Sequence, residues 1–117
     1  MPYLDRWGIT ATKVTGGTYT VTGPGGAQTA TVTVLQTFPT ETINVAGALM
    51  LAIQALYPMF PAPWENRYKY AACRWKMDAY ASLISGANGQ TRTQLTNKRN
   101  WWVTEEARLK AIMGADA

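Results

Sequence analysis

The sequence predicts an α+β fold in one domain, an N-terminal three-stranded antiparallel β-meander followed by a three-helix α-helical region. Two observations carry that expectation. Residues 9–37 are rich in Thr, Val and Gly and alternate with a period of two, as strands do. After Phe38-Pro39 the apolar residues recur instead at helical spacing. At 117 residues the chain matches the commonest domain size, so residues 1–117 are read as a single domain. Within it, residues 9–37 form the meander or arm and residues 40–114 the helical core.

Ile9 to Thr15 reads as the first strand, Gly16-Gly17 as a two-residue turn, and Thr18 to Thr22 as the second strand. Gly23-Pro24-Gly25-Gly26 breaks the chain again. Gln28 to Leu35 then sets Thr29, Thr31 and Thr33 against Ala30, Val32 and Val34. One face of the meander is therefore threonine and the other more apolar. A sheet this small is marginal in water, so the apolar face needs cover from the helices or from a neighbouring subunit.

Thr40 or Thr42 is placed to cap a helix running to about Tyr57, with Glu41 near its positive end. Ala46, Leu49, Met50, Ile53, Leu56 and Tyr57 form one stripe of it, and Val45, Ala48, Leu51 and Ala55 make the other side apolar too. A helix apolar on nearly all sides belongs in a core or an interface. Pro58, Pro61 and Pro63 punctuate the connection that follows. A second helix spans Trp64 to Ser85, where Tyr68, Ala71, Ala72, Trp75, Ala79 and Leu83 keep helical spacing and Arg74 and Asp78 stand four apart as an expected pair. Gly86-Ala87-Asn88-Gly89 stops it. Residues 90–100 read as a loop or weak helix. Thr104 is expected to cap a short last helix, with Glu105 and Glu106 in its first turn and Arg108 and Lys110 near its end. Gly114 ends that helix and residues 115–117 are expected to fray.

Composition narrows the function classes. The chain has no His, which removes the commonest general base and metal ligand. Its single Cys73 has no His partner and no partner for an intrachain disulfide, and its place among alanines predicts packing rather than reactivity. No carboxylate pair or ligand cluster shows catalytic or metal spacing, so neither an enzyme nor a cofactor or metal site is expected. Gly23-Pro24-Gly25-Gly26 lacks the Gly-Lys-Ser/Thr ending of a phosphate loop and leads into a strand. The threonine face follows from β-propensity and needs no ice-binding role. The start, Met1-Pro2-Tyr3-Leu4-Asp5-Arg6, lacks the pattern of a signal peptide. The longest apolar stretch, Val45 to Phe60, is interrupted by Gln54 and Pro58 and is short of the about 20 residues that span a bilayer. Synthesis in a reducing cytoplasm and no membrane partner are expected.

The net charge of +4 is unevenly placed. Arg67, Lys69, Arg74, Lys76, Arg92, Lys98 and Arg99 stand against one acid, Asp78, so residues 67–99 carry +6. Such a stretch favours a polyanion or an acidic partner, and a solvated helix face has the same look. Charged residues make up only 15% of a chain with five Trp, six Tyr and five Met, which fits either an aromatic core or an interface. Asn97-Lys98-Arg99-Asn100-Trp101-Trp102 is the most distinctive cluster. Its rings and cations suit core closure, a protein interface, nucleic-acid stacking or a membrane boundary. Trp101 and Trp102, with Tyr19 and Val21 on the second strand, are the candidate interface residues.

Residues 63–80, and within them Tyr70, Ala71, Arg74 and Asp78, resemble the central helix of small phage head–tail connector (adaptor, neck) proteins, where a Tyr-Ala-x-x-Arg-x-x-x-Asp pattern follows an apolar helix and a short break. The resemblance covers about residues 41–85 and does not include the meander. It implies a virion structural protein: a ring-forming homo-oligomer joining the portal to the tail around the DNA channel. The apolar helix would then sit between subunits or in the core, and the meander edge would extend a neighbour's sheet. The basic residues of 67–99 would face DNA or an acidic portal surface. Two other classes remain open on the residues alone. A capsid decoration or tail protein would dock through the meander, and a small basic nucleic-acid-binding protein would bind duplex with steep salt dependence.

Overall fold

The computed structural model describes residues 3–13, 18–23, 29–33, 41–60 and 64–117. Three helices dominate: α1 at Glu41–Leu56, α2 at Trp64–Ser85 and α3 at Gly89–Met113. The strands β1 at Thr10–Lys13, β2 at Thr18–Thr22 and β3 at Thr29–Thr33 are short and pair antiparallel in the order β1-β2-β3.

The α+β expectation is thereby corrected: the fold is mostly helical. Helices of 16, 22 and 25 residues stand against strands of 4, 5 and 5, so no meander of comparable weight sets the fold class. The physical reason lies in α3. Residues 90–100, expected as a loop or weak helix, belong to one continuous helix of 25 residues. The Gly16-Gly17 turn, residues 24–28 and residues 34–40 lie outside the described residues, as do Pro61 and Pro63.

Backbone register places Val21 opposite Ala11 on one side and Ala30 on the other. Val21 is fully buried in the main core, together with Ala46, Met50, Ile53 and Leu56 of α1 and Trp64 and Ala71 of α2. Tyr3, Leu4 and Ile9 of the N-terminal segment complete it. Helix α1 thus covers the apolar side of the strands from within the same chain.

Trp75 joins α1 to α2. Its indole Nε1 donates to the Ile43 carbonyl at 2.8 Å, and its ring lies over Gly47 so closely that a Cβ there would sit 2.6 Å from Cζ2. α1 is not buried all round, as the apolar pattern predicts: Leu51 is 68% exposed and Ala55 is exposed as well. The following 3₁₀ turn, Tyr57–Met59, leaves Met59 57% exposed.

Helix α2 has the limits its periodicity predicts. The expected Arg74–Asp78 pair does not form: Asp78 accepts a hydrogen bond from the Tyr3 hydroxyl, and Arg74 lies over the Tyr70 ring, 6.0 Å from its centroid. Pinning the N-terminal segment to α2 takes that carboxylate away from its helical neighbour.

Helix α3 runs unbroken through residues 90–100 because no Pro or Gly interrupts residues 90–113 and α2 packs alongside it. Thr93, Thr96 and Thr104 each donate to the carbonyl four residues earlier, at 3.3, 2.8 and 3.1 Å. Thr104 is therefore an interior residue and caps nothing, and Glu105 and Glu106 lie in the middle of the helix. Gly89, with φ +59°, follows Asn88 at the helix start.

The end of the chain is ordered by a fork. Arg67 donates from Nε and Nη2 to the two carboxylate oxygens of Asp116, both at 2.9 Å, from the 3₁₀ turn Gly114–Asp116. Its guanidinium also lies over Trp7 and Trp64, 5.6 and 5.4 Å from their centroids. Residues 115–117, expected to fray, are held instead, because Asp116 has this partner nearly fifty residues away and the Ala117 amide donates to the Gly114 carbonyl.

The Arg67 hydrogen bonds, with the charge of that guanidinium, hold the Asp116 carboxyl below the usual aspartate range. A depressed folded value means that the fork stabilises above the unfolded value of about 3.9 and is lost as pH falls through the lower folded one. Asp116→Asn is expected to abolish that dependence. Denaturation midpoints of wild type should fall toward those of the variant between about pH 5 and pH 2. A gap between the two that stays constant across this range would refute the fork's role.

Candidate interaction surface on the helical hairpin

Helices α2 and α3 pack antiparallel as a hairpin, and all seven cations of residues 67–99 lie on it. Their seam alternates apolar and polar contacts. Tyr70 and Cys73 of α2 meet Leu109 of α3, with Trp102 and Met113 against them. Arg99 donates from Nε to the Met77 carbonyl at 3.2 Å, and burial first, then the negative charge of Glu106, raises the Tyr70 hydroxyl above the usual tyrosine range. Arg99, Trp102, Glu106 and Leu109 recur at helical spacing, so one stripe of α3 faces α2 although half of it is charged.

Cys73 is 2% exposed in this seam. Burial first, then the negative field of Glu105 and Glu106, push its thiol up to about 11. It is a packing residue, in keeping with its place among alanines, and carries almost no thiolate near neutrality.

The cations do not share one face. Arg67 is taken up by Asp116. Lys69 pairs with Glu65 at 2.8 Å, an exposed pair of one helical turn. Arg74 is exposed over Tyr70. Lys76 lies between two indoles, 5.0 Å from the Trp75 centroid and 5.7 Å from that of Trp102. Arg99 is half-buried. Arg92 and Lys98 are exposed near the tip of the hairpin and make no ion pair among the described residues.

Trp102 is half-buried against the seam, and Trp101 packs edge-on against it with centroids 4.7 Å apart. Trp101 itself is 58% exposed. The adjacent pair therefore divides its work: one ring closes the hairpin and the other stays in solvent. Of the remaining candidate interface residues, Val21 belongs to the chain's own core, so it offers no surface. Tyr19 pairs through its backbone with Lys13 and Val32, and its side chain lies outside the described residues.

No residue from 80 to 108 is buried. Leu83, Ile84 and Leu95 are half-buried at most, so the hairpin tip projects from the core. The radius of gyration agrees: it is 14.9 Å, where a compact chain of this length has about 13 Å. A second surface lies on α1, the helix whose all-round apolarity predicts a core or an interface. Leu51 and Ala55 of α1, with Met59 of the following turn, leave adjacent apolar side chains exposed on the helix that otherwise fills the core. The one sequence signal for it was the excess of apolar residues on α1.

Among the described residues no helix is long and apolar enough to cross a membrane, and no three His, Cys, Asp or Glu side chains gather where a metal ion could bind. The chain matches no family model, no curated protein and no solved structure.

Proposed function

We propose that the chain is an assembly subunit with a structural rather than a catalytic role, and that its assembly is the ring-forming virion connector that α2 resembles. The observation that carries the reading is the exposed apolar face of α1. Leu51 at 68% and Met59 at 57% exposure are large side chains left in water beside a core that had room for their neighbours. Such a face is suited to a second copy of this chain, the occupant a closed ring requires. The projecting hairpin then reaches outward to other virion proteins, the portal and the tail, around the DNA channel. Synthesis in a host cytoplasm and incorporation into the virion go with this reading.

Light scattering across a concentration series, with negative-stain imaging, tests it. Wild type is expected to form closed rings as concentration rises. Leu51→Glu combined with Met59→Glu is expected to leave a folded monomer, because both side chains are already in solvent. Rings that survive the double variant would place the contact elsewhere, and a wild type that stays monomeric throughout would overturn self-assembly.

A further inference from the structure

Among the described residues four large apolar side chains stand more than half in water: Leu51, Met59, Trp101 and Ile112. They fall into two pairs. Leu51, Ala55 and Met59 recur every fourth residue along α1 and the turn after it, and all three are exposed. Trp101, Thr104, Arg108 and Ile112 follow one another on α3 at spacings of three or four, so they share a face. All four of these are exposed as well. That face lies beside the α2 seam and not in it, since Trp102, Leu109 and Met113 are the residues turned inward. α2 packs against both α1 and α3, so the two faces belong to different neighbours of α2.

The chemistry of the two faces says what covers them. Residues 42–64 include no Asp, Glu, Lys or Arg, so the α1 face offers a partner no charge. The α3 face does carry polar groups, yet each is met on its own helix. Arg108 binds Glu105, and the Thr104 hydroxyl donates to the Asn100 carbonyl at 3.1 Å. An uncharged occupant therefore strands neither a charge nor a hydroxyl there. The α1 face of another copy is such an occupant. The lengths agree too: at 1.5 Å per residue Leu51 to Met59 spans about 12 Å, and Trp101 to Ile112 about 16 Å.

Symmetry decides whether like or unlike faces meet. Two α1 faces meeting would close the assembly at two copies and leave Trp101 and Ile112 in water. Leu51 and Met59 would also supply only a small part of the roughly 800 Å² per partner that a stable interface buries. Unlike faces use all four side chains at every contact, and each copy keeps one face free for the next.

We propose that the Leu51–Met59 face of one copy packs on the Trp101–Ile112 face of α3 in the next, head to tail around the ring. This rests on the assembly reading and deepens it by naming the surface that α1 meets.

The test mixes two variants that each lack one face. Trp101→Glu with Ile112→Glu removes the α3 face, as Leu51→Glu with Met59→Glu removes the α1 face. Light scattering should find each double variant monomeric, with helical circular dichroism unchanged. A one-to-one mixture should then form dimers and nothing larger, doubling the mass of either variant alone. One intact α1 face meets one intact α3 face in that dimer, a gain that misfolded variants do not give. The mixture is measured at about 100 times the concentration at which wild type assembles, since a single contact lacks the avidity of a closed ring.

Rings that survive in the α3 variant would overturn this contact and leave self-assembly standing. A mixture that stays monomeric, or one that builds rings, would overturn it in the same way. A wild type that stays monomeric would overturn the assembly reading itself, and this contact with it.

Discussion

Trp64→Ala is expected to cost about 3–5 kcal/mol of folding stability, the usual range for emptying a buried Trp site. Trp64 is 2% exposed at the first turn of α2. Its ring meets Phe60 and Trp7 edge-on, at centroid distances of 5.1 and 6.2 Å, and carries the Arg67 guanidinium on its face. Removing it leaves a cavity where the N-terminal segment, the turn before α2 and the Arg67–Asp116 fork converge. For a domain of this size the melting temperature should fall by roughly 10–20 °C. Trp101→Ala is the matched comparison, with a change of at most about 0.5 kcal/mol because its ring already faces solvent. Equal melting shifts for the two variants would show that the core is not centred on Trp64.

Gly47→Leu is expected to be the second most damaging change, by about 2–4 kcal/mol from overpacking and a lost hydrogen bond. The Trp75 ring occupies the space a side chain would need, with Cζ2 2.6 Å and Cε2 3.1 Å from an added Cβ. A rigid indole cannot bend away as a flexible side chain does. It must move as a whole and give up its bond to the Ile43 carbonyl. In an open helix position Gly→Ala gains about 1 kcal/mol from helix propensity. At Gly47 the clash outweighs that gain, so even Gly47→Ala should lower the denaturation midpoint. Gly86→Ala, with nothing within 4 Å of the added Cβ, should not. A more stable Gly47→Ala would mean that Trp75 does not lie over α1.

Much was legible in the chain before folding because it depends on local pattern. The limits of α2 follow from apolar spacing that begins at Trp64 and from the glycine-bearing stop after Ser85. The packing role of Cys73 follows from its neighbours. What the chain by itself determined, then, is where periodicity is strong and where turn residues interrupt it.

Tertiary contact decided the rest. Residues 90–100 carry no apolar stripe, so their membership of α3 depends on α2 lying alongside. The mixed seam of Arg99, Trp102, Glu106 and Leu109 looks polar until Met77 and Tyr70 supply partners. Asp116 bears no local sign of structure, since its partner Arg67 is distant in sequence. Nor does the list of cations separate those consumed by the fold, such as Arg67 and Lys69, from Arg92 and Lys98, which stay in solvent. Local periodicity is written in neighbouring residues, whereas pairing between residues far apart exists only once the helices are packed, and it was packing that sorted the charges of this protein into structural and available ones.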